Sequence, residues 1–184
     1  GDVSLFLRPL AYREHPYKWS TIGKEISHIT EASLQDVKDF FYNFYAPNNA
    51  VLVVAGNVNP DEIHKLTEKW FSDIPQRNLK IQNIPVEPKQ TDKRSLVLER
   101  DVPSDAIYMA YHMCERMHDD YYASDLISDI LSNGRSSLFN LNLIKGKKLF
   151  SQIDAYIQGS VDPGLMMING RLYPETSFDV AEAE

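Results

Sequence analysis

Five histidines (His15, His28, His64, His112 and His118), one cysteine and 26 carboxylates are the residues in this 184-residue chain that can hold a metal, activate water or attack a carbonyl carbon. Zinc hydrolysis needs two or three such ligands on rigid elements plus a base for the bound water. Helical H-E-x-x-H or H-x-x-E-H spacing places them on one face. Neither spacing occurs. Glu14-His15 comes nearest, but the position three before Glu14 is Ala11, and the other histidines fall in separate stretches of chain. Cys114 follows Met113 in a strand-like run with no sequence cue for a paired base or an activated thiol, and is read as a buried or half-buried structural thiol. G-x-S-x-G, a Gly-rich phosphate loop and Cys-x-x-Cys are all missing, which removes the commoner hydrolase, nucleotide and redox readings. No catalytic residue and no metal ligand is therefore assigned.

Charge narrows the partners further. A net charge of -7 and a pI near 5.2 argue against nucleic acid, because phosphate binding needs a positive face. The one basic run, Lys145, Lys147 and Lys148, is read as a solvated turn or helix end, with a contact role as the alternative. No apolar stretch approaches the roughly 20 residues of a membrane-spanning helix. With 43% apolar residues the chain has enough to bury a core.

The elements that would position these side chains read as follows. Leu5, Phe6, Leu7 and Leu10 suggest the tail of a helix. Thr30 or Ser33 caps a second helix, Asp36 puts a negative charge in its first turn, and Leu34, Val37, Phe40, Phe41, Phe44 and Tyr45 form an apolar stripe predicted to be buried. Pro47 ends it. Ala50–Gly56 is short, β-branched and apolar on both parities, the pattern of a strand covered on both faces. Asn59-Pro60-Asp61-Glu62 opens a further helix with Asn59 as N-cap and Pro60 in the first turn. A polar segment carrying Pro75, Pro85 and Pro88 then reads as a linker over 75–94. Beyond it, Leu96–Arg100 and Ala106–Met113 are strand candidates, and Asp119-Asp120 precede a helix stopped by Asn133-Gly134. Ser136-Ser137 cap a short helix, Ser151–Gln158 and Leu165–Leu172 pair around Asp162-Pro163-Gly164, and Ser177 begins a last helix. Hairpins mixed with helices predict an α+β fold, mostly antiparallel sheet packed with helices, rather than a doubly wound parallel sheet.

The ordered run Pro16-Tyr17, Ile22-Gly23, Ile29-Thr30, Phe40-Phe41, Tyr45-Ala46-Pro47-Asn48-Asn49 and Val53-Val54-Ala55-Gly56-Asn57 resembles the pitrilysin/insulinase family of zinc metallopeptidases, the inverzincins. It is similar to the segment after the zinc ligands. Leu126, Ile130-Leu131, Gly134 and Ser136-Ser137-Leu138 continue the likeness into the family's second homologous domain. The resemblance implies parts of two homologous half-domains: 1–74 as the later part of an active-site-type domain without its zinc motif, 75–94 as linker, and 95–184 as the first part of a non-catalytic domain. It places the zinc ligands upstream of Gly1, so that zinc belongs to the parent protein and not to this chain.

Many relatives carry an Arg and, a few residues later, a Tyr that help bind substrate. Lys145 and Ser151 stand near those positions and are the implied substrate-binding residues. The Lys lacks the planar fork of Arg and the Ser lacks a phenol. The implied function is part of the substrate chamber of a zinc endopeptidase acting on peptides or unfolded polypeptides. The alternative is a catalytically inactive partner or assembly-core subunit. A second family subunit or a further copy of the chain is the implied macromolecular partner.

Overall fold

In the computed structural model, which describes residues 2–79 and 82–184, strands Ala106–His112 (β1), Phe150–Gln158 (β2) and Leu165–Leu172 (β3) form an antiparallel sheet in the order β1-β3-β2. The fold is α+β. β3 is the central strand, with Ile107 and Ile153 both opposite Gly170. Side chains alternate across a strand, so β3 supplies two faces at once. Ile168 and Leu172 join Leu143, Phe150, Ile153 and Ala181 in one buried cluster; Leu165 and Met167 join Ala11 and Tyr12 in another. Phe150, 1% exposed, is the largest fully buried side chain. It lies over Gly170, where a Cβ would come within 2.5 Å of the ring, so this strand position has room for hydrogen only.

These strands belong to one of two compact units, formed by the segment up to Trp19 together with Val86–Glu184. Helix α1 (Val3–Ala11) contributes Leu7 and Ala11 to the second cluster. Tyr121–Ser132, the helix after Asp119-Asp120, packs on β2, and Gly134 at φ +84 stops it as its sequence indicates. The short helix expected from Ser136-Ser137 is a π-helix, Asn140–Gly146, and Ser137 Oγ caps nothing: it is buried without a hydrogen-bond partner. The final helix, Phe178–Ala183, is capped by Ser177 and buries Ala181. Cys114 is half-buried.

Ser20–Pro85 forms the other unit. Its helix Leu34–Phe44 starts with a capping box: Asp36 N–H donates to Ser33 Oγ and Ser33 N–H donates to Asp36 Oδ2 at 2.8 Å. At the other end Arg77 Nη1 donates to the carbonyls of Phe41 and Tyr45, and the guanidinium lies 4.5 Å from the Tyr42 ring centre. Asn59 caps Pro60–Phe71. The apolar stripe of Leu34–Phe44, predicted to be buried, is not: Phe40 is 58% exposed. Residues 50–56, expected as a covered strand, run without a ladder partner among the described residues, and Val51 is 90% exposed. Leu96–Arg100 likewise forms no strand. In all three cases the pattern marks a surface that is able to pack or pair, while a strand exists only once a second strand bonds to it. Lys80 and Ile81 of the 75–94 segment lie outside the described residues; the remainder of that segment is irregular.

Candidate functional site

The most constrained polar region of the molecule gathers around residues 12–17. The carboxylate of Glu87 accepts three consecutive backbone N–H groups, from Arg13 (2.8 Å), Glu14 (2.8 Å) and His15 (2.9 Å). Partial burial pushes its pKa up, but these three bonds, with the nearby His112, outweigh that and hold it below the ordinary carboxylate value. Pro85 and Pro88 flank Glu87 and stiffen the backbone that delivers it. Arg94 meanwhile donates to the carbonyls of Leu10 and Ala11, which α1 leaves open at its C-terminus.

His15, 4% exposed, sits inside this arrangement. Its Nδ1 accepts the N–H of Tyr17 at 3.2 Å, which leaves the ring proton of the neutral form on Nε2. Nε2 is 3.3 Å from Asp162 Oδ2, yet the angle makes no hydrogen bond. The turn holding Asp162 is bound twice more: Tyr12 Oη donates to Pro163 O at 3.0 Å, and Asp162 N–H donates to Tyr17 Oη at 3.4 Å. Burial pushes the Tyr12 phenol up to about 12, so it is a fixed donor at neutral pH. His112 Nε2 bonds Ala11 O at 2.8 Å and its ring lies 5.3 Å from that of Tyr12. These contacts join distant stretches of chain, and most of the polar groups are bonded to backbone partners, His15 Nε2 being the exception.

The remaining histidines stand apart. His28 and His64 are exposed, and His118 Nδ1 accepts the N–H of Asp120. Among the described residues no three His, Cys, Asp or Glu side chains are grouped to hold a metal ion.

Lys145 and Ser151 occupy the two ends of one corner between the π-helix and β2. Lys145 is exposed, with Nζ 3.5 Å from Arg135 O. Ser151 falls in a β-bulge, between the Phe150/Leu172 and Gln152/Arg171 pairs, and its Oγ donates to Arg171 O. Lys147 is ion-paired with Glu184. Between them Lys148 has φ +55, the one non-glycine residue with positive φ among the described residues. Neither Glu87 nor Asp162 stands out in sequence, since each is one carboxylate among 26; the Pro-Val-Glu-Pro context of Glu87 was the available signal.

Comparison with known proteins gives a consistent picture. The family model described as the peptidase M16 inactive domain matches residues 31–184. The zinc protease PqqE of Helicobacter pylori is 35% identical over 147 residues, 77% of this chain and 32% of that protein. Among solved structures, a protease from Helicobacter pylori aligns with TM-score 0.78 and 30% identity over 97% of this chain and 44% of its own. A peptidase M16 inactive domain from Pseudomonas fluorescens shares the fold, with TM-score 0.80 at 21% identity over 98% of this chain and 43% of its own. The chain thus spans less than half the length of these relatives.

Proposed function

The chain belongs to the peptidase M16 family, matching its inactive domain, and from that premise we propose that it is a non-catalytic segment of a zinc-dependent endopeptidase. The match to the inactive domain over 31–184 carries this reading, and the 35% identity to a zinc protease supports it. The residues present do not fit a zinc ion: among the described residues no three candidate ligands are grouped, and Nδ1 of His15, the most buried histidine, already accepts the N–H of Tyr17. The metal and the water-activating base then lie in the rest of the protein, and this chain walls the chamber that holds the substrate.

In the same reading, residues 1–74 close an active-site-type domain, 75–94 link, and 95–184 open the second, homologous domain. Lys145 and Ser151 face a peptide or unfolded polypeptide. The exposed large apolar side chains of Leu34–Phe44 and of residues 50–56 support a further component, since apolar surface left to water in quantity commonly marks an interaction site. The remainder of the protein, or a second family subunit, covers it.

The test is a pair of measurements. The 184-residue chain alone is expected to hold no stoichiometric zinc and to cleave no unfolded peptide. The longer protein that contains it is expected to do both, with Lys145→Ala raising KM more than it lowers kcat. One tightly held zinc per isolated chain would sink the proposal, and a zinc-free, inactive longer protein would support the assembly-core alternative.

A further inference from the structure

Three backbone irregularities fall within twelve consecutive residues of the larger unit: the π-helix Asn140–Gly146, the left-handed Lys148 and the bulge at Ser151. Each has a cost or a rarity of its own. π-Helices and bulges recur beside functional sites, where they re-aim a side chain. A left-handed backbone brings Cβ against the following carbonyl, a penalty that glycine escapes. Glycine is therefore the residue favoured at a position such as 148, and other residues are uncommon there. This chain carries Lys, whose ammonium has no ion pair or hydrogen bond among the described residues, while the neighbouring Lys147 is paired with Glu184. Lys145, at the end of the π-helix, adds positive charge to the same corner. The chain as a whole carries -7, so this corner runs against the overall field.

We propose that Lys148 is a specificity residue, held in its strained position to present a cation to the carboxylate of a bound peptide. This rests on the reading of the chain as part of a peptide-holding chamber, and it adds a preference among peptides. The carboxylate is that of an acidic side chain or of a peptide C-terminus. Both offer two acceptor oxygens to an exposed ammonium, and the interaction is weakened by salt.

The test uses the 184-residue chain and three fluorescent ten-residue peptides without secondary structure. One has a central Glu and an amidated C-terminus, the second has Gln in place of Glu, and the third has that Gln with a free C-terminal carboxylate. Wild type is expected to bind at least one carboxylate peptide up to about five-fold more tightly than the neutral one at low salt, the range of an exposed ion pair. Whichever of the two is preferred identifies the source of the carboxylate. K148R should keep the preference. K148G should abolish it while its thermal midpoint rises by about 2 °C through relief of the left-handed strain. Equal binding of all three peptides by wild type, an intact preference in K148G, or a lower midpoint in K148G would each overturn the proposal. Failure to bind any of the peptides would instead overturn the chamber reading, and this inference with it.

Discussion

Both compact units carry apolar stripes in sequence, and the stripes meet opposite fates. In the unit containing the sheet, Phe150 on β2 is covered on all sides; in Ser20–Pro85, Phe40 stands on the amphipathic helix Leu34–Phe44 and is more than half exposed. The difference teaches that periodicity identifies a surface able to pack, whereas burial depends on whether the partner surface is within reach. β3 brings its own partners, since β1 and β2 lie on either side of it and helices cover both of its faces. The stripe of Leu34–Phe44 meets no such cover, and the large aromatic side chains along it contribute correspondingly little to the stability of this chain.

The sharpest way to break the comparison is to truncate both phenylalanines. Phe150→Ala is expected to cost about 3–5 kcal/mol, while Phe40→Ala should stay within about 0.5 kcal/mol. Chemical denaturation followed through Trp19 in one unit and Trp70 in the other, with the second tryptophan replaced by Phe each time, separates the two responses. Equal losses would mean that Phe40 is buried in solution and that the contrast is false.

A middle-sized effect is expected at Glu87. Glu87→Gln keeps one acceptor oxygen but loses the charge that three N–H groups share, a loss of about 1–2 kcal/mol confined to the larger unit. The pH dependence follows from the lowered folded-state pKa. Between the folded pKa and the unfolded value near 4.5, the unfolded state binds more protons, so this contribution is fully present above 4.5 and disappears as pH falls through the folded value. Acid titration of stability in wild type and Glu87→Gln should therefore converge at low pH. Parallel curves would show that the three bonds do not report on the carboxylate's charge.

The smallest effect belongs to the other unit. Ser33→Ala removes one half of the capping box and should cost about 1 kcal/mol of local stability, seen as faster amide exchange in the first turn of Leu34–Phe44 with the sheet unaffected. Asp36, held below the ordinary carboxylate range by the Ser33 hydroxyl and N–H, would move back toward it in that variant.

These contrasts also mark how far the residues could be read in advance. Ser33, Asn59, Asn133-Gly134, the hairpin around Asp162-Pro163-Gly164 and the Ser177 cap all act within a few positions of themselves, and each is found where its local chemistry puts it. The α+β class and the family resemblance were legible for the same reason, since both accumulate from short-range signals in a fixed order. Residues 50–56 and 96–100 show the opposite case: their strand-like composition was real, but a ladder needs a bonded neighbour that composition does not name. Glu87 is the clearest instance. Beyond its flanking prolines nothing nearby in sequence distinguishes its carboxylate from 25 others, and its three partners lie 72 to 74 residues away. Lys148 lies between these limits, plain in sequence as one of the three lysines of the basic run and distinguished only by the φ the fold imposes on it. Caps and turns are settled by interactions short enough to be written in consecutive residues, while pairing, burial and the aim of a charge depend on which distant surfaces the chain brings together.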